Sequence, residues 1–83
     1  MIYLDIITPE KLLFAGEIKI VKLPGTLGSF EIMENHAPMI STLTKGKIKV
    51  KDANGVISNF EISTGLVEVS NNEIKVLVES AVY

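Results

Sequence analysis

The chain has 83 residues, which is enough for one domain and no more. It is 47% hydrophobic with a formal net charge of −2, so we expect a soluble globular domain without a polyanionic partner. All basic residues are lysines and cysteine is absent, which argues against nucleic-acid binding and excludes disulfides and thiolate metal sites.

Apolar and polar residues alternate in the first third of the chain, a period that predicts β-strands. The first predicted strand ends before Pro9, because proline cannot donate to a ladder. A second stretch of alternation runs to a turn at Pro24–Gly25. The residues predicted to face inward from these two strands are Ile2, Leu4, Ile6, Ile18 and Ile20.

The clearest strand is GKIKVKD at 46–52, with Ile48 and Val50 on one side and lysines on the other. Asn54–Gly55 follows it and predicts a hairpin turn in which both residues have positive φ. The segments NFEIS, GLVEVS and EIKVLVES continue the alternation, and a second turn is predicted at Asn71–Asn72. The inward residues predicted for the first and last of these segments are Phe60, Ile62, Ile74, Val76 and Val78.

Helical spacing of apolar residues is not sustained over three turns anywhere in the chain. The many short strands predict an all-β fold, an antiparallel two-sheet β-sandwich of about ten short strands, with residues 1–83 as a single domain. The lysines at 45–51 are interpreted as the solvated face of one strand, where they would also discourage pairing at a sheet edge, and attraction to a membrane is the alternative interpretation.

An enzyme reading would centre on His36 with the carboxylates Glu31 and Glu34. Metal-assisted hydrolysis at this point would need three or four ligands, and the chain has neither a second histidine nor a cysteine. No nucleophile motif and no phosphate-binding motif accompanies these residues. We therefore expect a protein that is not an enzyme and that has no catalytic residue, metal or cofactor.

Residues 25–36 are rich in glycine, proline and polar side chains and are predicted to form a loop. This segment also contains large apolar residues, and we predict that Phe30 is exposed on it. Several exposed apolar groups on one loop indicate a contact surface. One interpretation is therefore a free-standing β-sandwich that binds a peptide or small ligand through the 25–36 loop.

Five motifs occur in a characteristic order along the chain: TPEKLLFAGE at 8–17, LPGTLG at 23–28, NHAPM at 35–39, TGLVEV at 64–69 and IKVLV at 74–78. The most specific combination is the histidine motif preceded by the glycine-rich one. Together they resemble the N-terminal β-sandwich of the epsilon subunit of F-type ATP synthases, which is called delta in mitochondria. The resemblance covers nearly the whole chain.

This resemblance implies a non-catalytic rotor subunit of the central stalk in a proton- or sodium-translocating synthase. Members of the family bind the gamma subunit and the ring of c subunits, and they couple ion-driven rotation to ATP synthesis. The positions that match those turned toward the c ring are Ser29, Phe30 and Glu31. The positions that match those turned toward gamma are Thr8, His36 and Ser41.

The family usually has glycine where Glu31 stands and Pro-Gly where Glu34–Asn35 stands, and asparagine tolerates positive φ better than most residues. Most bacterial relatives continue into a helical hairpin that restrains ATP hydrolysis. This sequence stops about where that hairpin begins, so we expect coupling without a helical brake and without nucleotide binding. The resemblance also implies a peripheral position on the cytoplasmic face of the bacterial inner membrane, without insertion into it.

Overall fold

The computed structural model describes all 83 residues, and every regular element in it is a strand. It contains no helix that is long and apolar enough to cross a membrane. The strands are β1 (Ile2–Ile7), β2 (Leu12–Gly25), β3 (Gly28–Met33), β4 (Met39–Leu43), β5 (Gly46–Asp52), β6 (Ile57–Ile62), β7 (Gly65–Ser70), β8 (Glu73–Val78) and β9 (Ala81–Val82).

The long strand β2 belongs to both layers of the sandwich. Its first half pairs with β1, and its second half pairs with β3 on one edge and β5 on the other. Sheet 1 therefore contains β4, β7, β8, β1 and the first half of β2, whereas sheet 2 contains β3, the second half of β2, β5, β6 and β9. The predicted all-β sandwich is confirmed, with nine strands instead of about ten. One pair, β1 with β8, is parallel.

Period-two alternation explains which side chains fill the space between the sheets. The core is a single cluster of 17 buried apolar residues. It includes nearly every residue predicted to face inward, namely Ile2, Leu4, Ile6, Ile18, Ile48, Val50, Phe60, Ile62, Ile74, Val76 and Val78. Isoleucine, valine and leucine dominate it because branched side chains pack well on a pleated surface.

Ile20 is the exception, because it is only half-buried and Val21 takes the inward position instead. The pairing of β2 with β5 shifts register between Ile18 and Ile20. Such a bulge adds one residue to one strand and reverses the faces beyond it. The prediction that Ile20 faces inward was therefore wrong.

The turn at Asn54–Gly55 differs from the prediction that both of its residues have positive φ. At Asn54–Gly55 only Gly55 has it, at 84°, and Asp52 Oδ1 accepts from the backbone N–H groups of Asn54 and Val56. A three-residue loop closed by a glycine explains this geometry. The turn with two positive φ values is Asn71–Asn72, at 52° and 58°.

Asn71 provides a test of that turn because it is exposed and its side chain makes no hydrogen bond in the structure. Asn71→Ala is expected to lower the free energy of unfolding by about 1 kcal/mol, since a Cβ-bearing residue without a polar side chain is disfavoured at positive φ. Asn71→Gly is the matched variant and should be more stable than Asn71→Ala. Urea unfolding of both variants measures the difference, and equal stability would contradict the turn assignment.

The lysine-rich strand β5 lies inside sheet 2, paired with β2 on one edge and β6 on the other. Strand β3 forms one edge of that sheet, and β6 with the short strand β9 forms the other. The lysines of β5 are exposed as predicted, but the proposal that they protect an edge was wrong.

Candidate partner-binding surfaces

The segment predicted to be a loop is largely a β-hairpin. Strand β3 pairs with the end of β2, and the two are joined by a two-residue turn, Thr26–Leu27, between Gly25 and Gly28. Gly28 has a φ of 131°, which glycine adopts readily. Only the residues that follow Met33 form an irregular connection to β4. The interpretation of residues 25–36 as a ligand-binding loop therefore does not fit the structure of this region.

Ser29, Phe30 and Glu31 occupy successive positions of β3, so their side chains alternate between its two faces. Ser29 and Glu31 are exposed, whereas Phe30 is half-buried and packs against the core. A Cβ atom at Gly25 would lie 2.7 Å from Phe30 Cε1, so the glycine makes room for the ring. Phe30 faces the same way as the buried Ile32, and the prediction that it is exposed was wrong.

Phe30→Asp is consequently expected to lower the free energy of unfolding by about 1–3 kcal/mol, because it places a carboxylate against the core. Urea unfolding with Glu31→Ala as the neighbouring control measures this cost. The control should change stability by no more than about 0.5 kcal/mol, as expected for an exposed side chain. An unchanged stability of Phe30→Asp would show that the ring does not pack as described.

The connection around His36 is held by hydrogen bonds to its surroundings. His36 Nδ1 lies 2.7 Å from the carbonyl oxygen of Ala37, and the Asn35 backbone N–H donates to Asn72 Oδ1 at 2.7 Å. Glu34 forms an ion pair with the amino group of Met1. Asn35 has a φ of 67°, in the left-handed region that asparagine tolerates better than most residues. These side chains order the connection.

Thr8 lies in the turn between β1 and β2, where its hydroxyl accepts a hydrogen bond from the Lys11 backbone N–H at 3.1 Å. It follows Ile7, which pairs with Leu77 at one end of sheet 1. His36 precedes Met39, which pairs with Val69 at the other end of the same sheet. Thr8 and His36 are thus separated along the sheet, and half-buried Ser41 lies between these ends on β4. The three do not form one cluster.

The outer face of sheet 1 has an apolar row that crosses four strands. The row follows from the register and consists of the apolar residues Leu66, Leu77 and Ile7, with Thr42 at its β4 end. Leu66 and Leu77 are 37% and 48% exposed. Ile40, which is 68% exposed, begins the next row, and that row continues with Glu68, Lys75 and Asp5. An apolar row beside a charged one is typical of a protein-binding face.

One end of this face is concave. An open hollow of about 580 Å³ is lined by Ile7, Thr8, Leu66 and Leu77 together with neighbouring residues at the ends of β4 and β8. Thr8 therefore lies at the rim of the apolar surface, although its hydroxyl is engaged in its own turn. The hollow could receive an apolar side chain from a partner.

The sequence interpretation did not identify Leu66 and Leu77 as surface residues. The signal was available in the sequence, because Leu77 lies between Val76 and Val78, which were predicted to be buried, and alternation places Leu66 on the opposite face from Val67. Two such leucines on adjacent strands form an apolar patch only when those strands pair. The pairing of β7 with β8 places them opposite each other.

Comparison with known families supports the resemblance. The family model for the β-sandwich domain of the ATP synthase delta/epsilon chain matches residues 1–83. The chain is 42% identical over 76 residues to the ATP synthase epsilon chain of Chlorobium limicola, covering 92% of this chain and 86% of that protein. It is 37% identical over 81 residues to the ATP synthase epsilon chain of Caulobacter vibrioides, and the match covers 98% of this chain and 93% of that protein.

Relatives of greater length also match: the epsilon chain of Campylobacter fetus is 38% identical over 82 residues, which cover 99% of this chain and 64% of that protein. A chain in the Euglena gracilis mitochondrial ATP synthase has the same fold, with a TM-score of 0.91 at 18% identity, over 98% of this chain and 52% of that one. A chain from the central stalk and c-ring of the Tetrahymena thermophila mitochondrial ATP synthase has a TM-score of 0.81 at 19% identity. The match covers 98% of this chain and 65% of that one. The protein belongs to the ATP synthase delta/epsilon chain family.

Proposed function

We propose that this protein is a rotor subunit of a proton- or sodium-translocating F-type ATP synthase. In this role it binds the gamma subunit and the c ring and couples ion-driven rotation to ATP synthesis, without catalysing a reaction itself. The observation that carries the proposal is the family match across all 83 residues. The complex would hold it peripherally at the cytoplasmic face of the bacterial inner membrane.

The outer face of sheet 1 is the surface we assign to gamma. It combines the exposed apolar side chains of Ile40, Leu66 and Leu77 with a hollow that can accept a partner side chain. Burial of such groups supplies most of the favourable free energy in stable interfaces. Thr8 lines the hollow, and His36 lies at the far end of the same sheet. The assignment therefore covers a strip along sheet 1.

The β2–β3 hairpin is the part we assign to the c ring. Ser29 and Glu31 are exposed on β3, and the turn residue Leu27 is fully exposed at the tip. Phe30 contributes indirectly, because its packing over Gly25 fixes the hairpin against the core. Contact with the ring is thus expected through the tip and the outward side chains.

Co-expression with the gamma and c subunits of the same organism tests this function. We expect the protein to co-purify with gamma in equal amounts and to remain bound at sub-micromolar concentration, as a permanent interface requires. Cysteine introduced at Ser29 should form cross-links to the c ring, whereas cysteine at Asn59, exposed on β6, should not. Absence of a gamma complex at micromolar concentration would overturn the proposal.

A further inference from the structure

Five of the eight lysines are exposed on one side of the molecule, on or next to sheet 2. These residues are Lys22, Lys45, Lys47, Lys49 and Lys51. None has a carboxylate oxygen within 4.0 Å, since the one ion pair in the structure joins Met1 to Glu34. In the strand pairing Glu31 lies opposite Lys22 and Glu61 lies opposite Lys47, so five lysines share this side with two carboxylates and the side remains basic despite the small net charge of the chain.

The register brings two of these lysines directly opposite each other. Lys22 on β2 pairs with Lys49 on β5, and both are exposed. Like charges in directly opposite positions of a sheet are destabilising. Protection of a sheet edge does not explain this arrangement, because β5 is an interior strand. An anion placed between the two lysines would relieve their repulsion.

A hollow of about 580 Å³ lies at the end of this basic side, between the β2–β3 hairpin and the β4–β5 turn. No large apolar residue lines it. Its lining instead includes four lysines and three hydroxyl side chains, namely Lys22, Lys45, Lys47, Lys49, Thr26, Ser29 and Thr44. Ammonium groups and hydroxyl donors are suited to phosphate oxygens. We call this surface the basic hollow.

An apolar residue stands directly beside the basic hollow. Leu27, at the tip of the hairpin, is fully exposed, and its neighbours Thr26 and Gly28 both line the hollow. A site for a free phosphate ion would gain nothing from such a residue. The combination of clustered lysines with a protruding apolar side chain is instead characteristic of proteins that attach to the surface of anionic membranes.

We propose that the basic hollow and Leu27 bind the surface of a bilayer that contains anionic phospholipids. The lysines contact the phosphates of the head groups, and Leu27 enters the boundary between head groups and acyl chains. The attachment is peripheral, because one leucine buries too little apolar area to insert stably. It uses sheet 2 and the tip of the hairpin, which is also the part assigned to the c ring, and it leaves the outer face of sheet 1 free.

Sedimentation with vesicles tests this proposal on the isolated chain. Vesicles of phosphatidylcholine with about one third phosphatidylglycerol should bind the protein, whereas pure phosphatidylcholine should not. The triple variant Lys22→Gln/Lys47→Gln/Lys49→Gln should bind about 100-fold more weakly, at about fivefold for each lysine near the surface. Leu27→Asn should weaken binding severalfold, and raising the salt concentration to about 1 M should remove most of it.

A matched variant separates local contacts from net charge. Lys11→Gln/Lys19→Gln/Lys75→Gln removes the same charge from exposed positions outside the basic hollow, and it should bind within about threefold of the wild type. Equal weakening of both triple variants would overturn the proposal, as would equal binding to neutral and anionic vesicles. Binding of inorganic phosphate without binding of vesicles would reveal a site for soluble anions and would also overturn it.

The outcome of the vesicle experiment is distinguishable from that of the gamma-binding test, although both proposals use the β2–β3 hairpin. The triple variant at the basic hollow should still bind gamma with unchanged affinity, because its substitutions lie on sheet 2. Loss of gamma binding by the wild-type chain would refute the rotor proposal and leave the vesicle result standing. Absence of vesicle binding by the wild-type chain would refute the membrane proposal and leave the gamma-binding result standing.

Discussion

Leu66→Asp/Leu77→Asp is expected to abolish binding of the gamma subunit and to leave the fold intact. Both leucines point outward from sheet 1 and are opposite each other across β7 and β8, so neither belongs to the core. In the complex they would be buried, and two adjacent carboxylates without partners would then be removed from water. We expect affinity to fall at least about 100-fold, as measured by calorimetry with purified gamma.

The control for this prediction is Met33→Asp/Ile57→Asp, which makes the same chemical change on the outer face of sheet 2. Met33 and Ile57 are 53% and 45% exposed, close to the values for the two leucines. Gamma should bind this variant nearly as well as the wild type. If the control loses gamma binding and the leucine variant retains it, the interface is on sheet 2 and our assignment is reversed.

Ile48→Ala is expected to lower the free energy of unfolding by about 2–5 kcal/mol, the range for truncation of a buried branched side chain. Ile48 is fully buried on β5, opposite Phe60 on β6, and belongs to the core cluster. Removing three methyl or methylene carbons leaves a cavity that interior strands cannot easily close. The total free energy of unfolding of a small domain is about 5–15 kcal/mol, so this substitution removes a large fraction of the stability.

Urea unfolding should show a lower midpoint for Ile48→Ala with an unchanged slope, which identifies a change in stability alone. Lys47→Ala, the adjacent outward residue of the same strand, should shift the free energy by less than about 0.5 kcal/mol. At temperatures where Ile48→Ala remains folded, it should bind gamma normally. A cost below about 1 kcal/mol would mean that the core relaxes around the missing atoms.

The sequence was sufficient to predict most of the strands, though not β3, and most of the core. Alternation assigns Ile2, Leu4 and Ile6, and likewise Ile48 and Val50, to the correct face. These predictions succeed because a strand has only two faces and one of them must be apolar. The turn at Asn71–Asn72 was also located, since asparagine tolerates positive φ.

Features that depend on pairing between distant strands could not be predicted. The bulge that turns Ile20 outward becomes evident only in the register of β2 against β5. Phe30 was misassigned because glycine-rich sequence around it indicated a loop, whereas pairing with β2 makes it part of a strand. The patch formed by Leu66 and Leu77 likewise exists only once β7 and β8 are adjacent. The motifs identified the family without revealing these surfaces.

The parallel pairing of β1 with β8 has a consequence for synthesis of the chain on the ribosome. Strand β1 is made first, yet one of its two partners spans residues Glu73–Val78 and emerges late. At about 5–20 residues per second, β1 waits several seconds with one edge open and with Leu4 and Ile6 uncovered on that side. The nascent chain is therefore most exposed to aggregation in the interval before β8 arrives, and β8 then closes the open edge of β1.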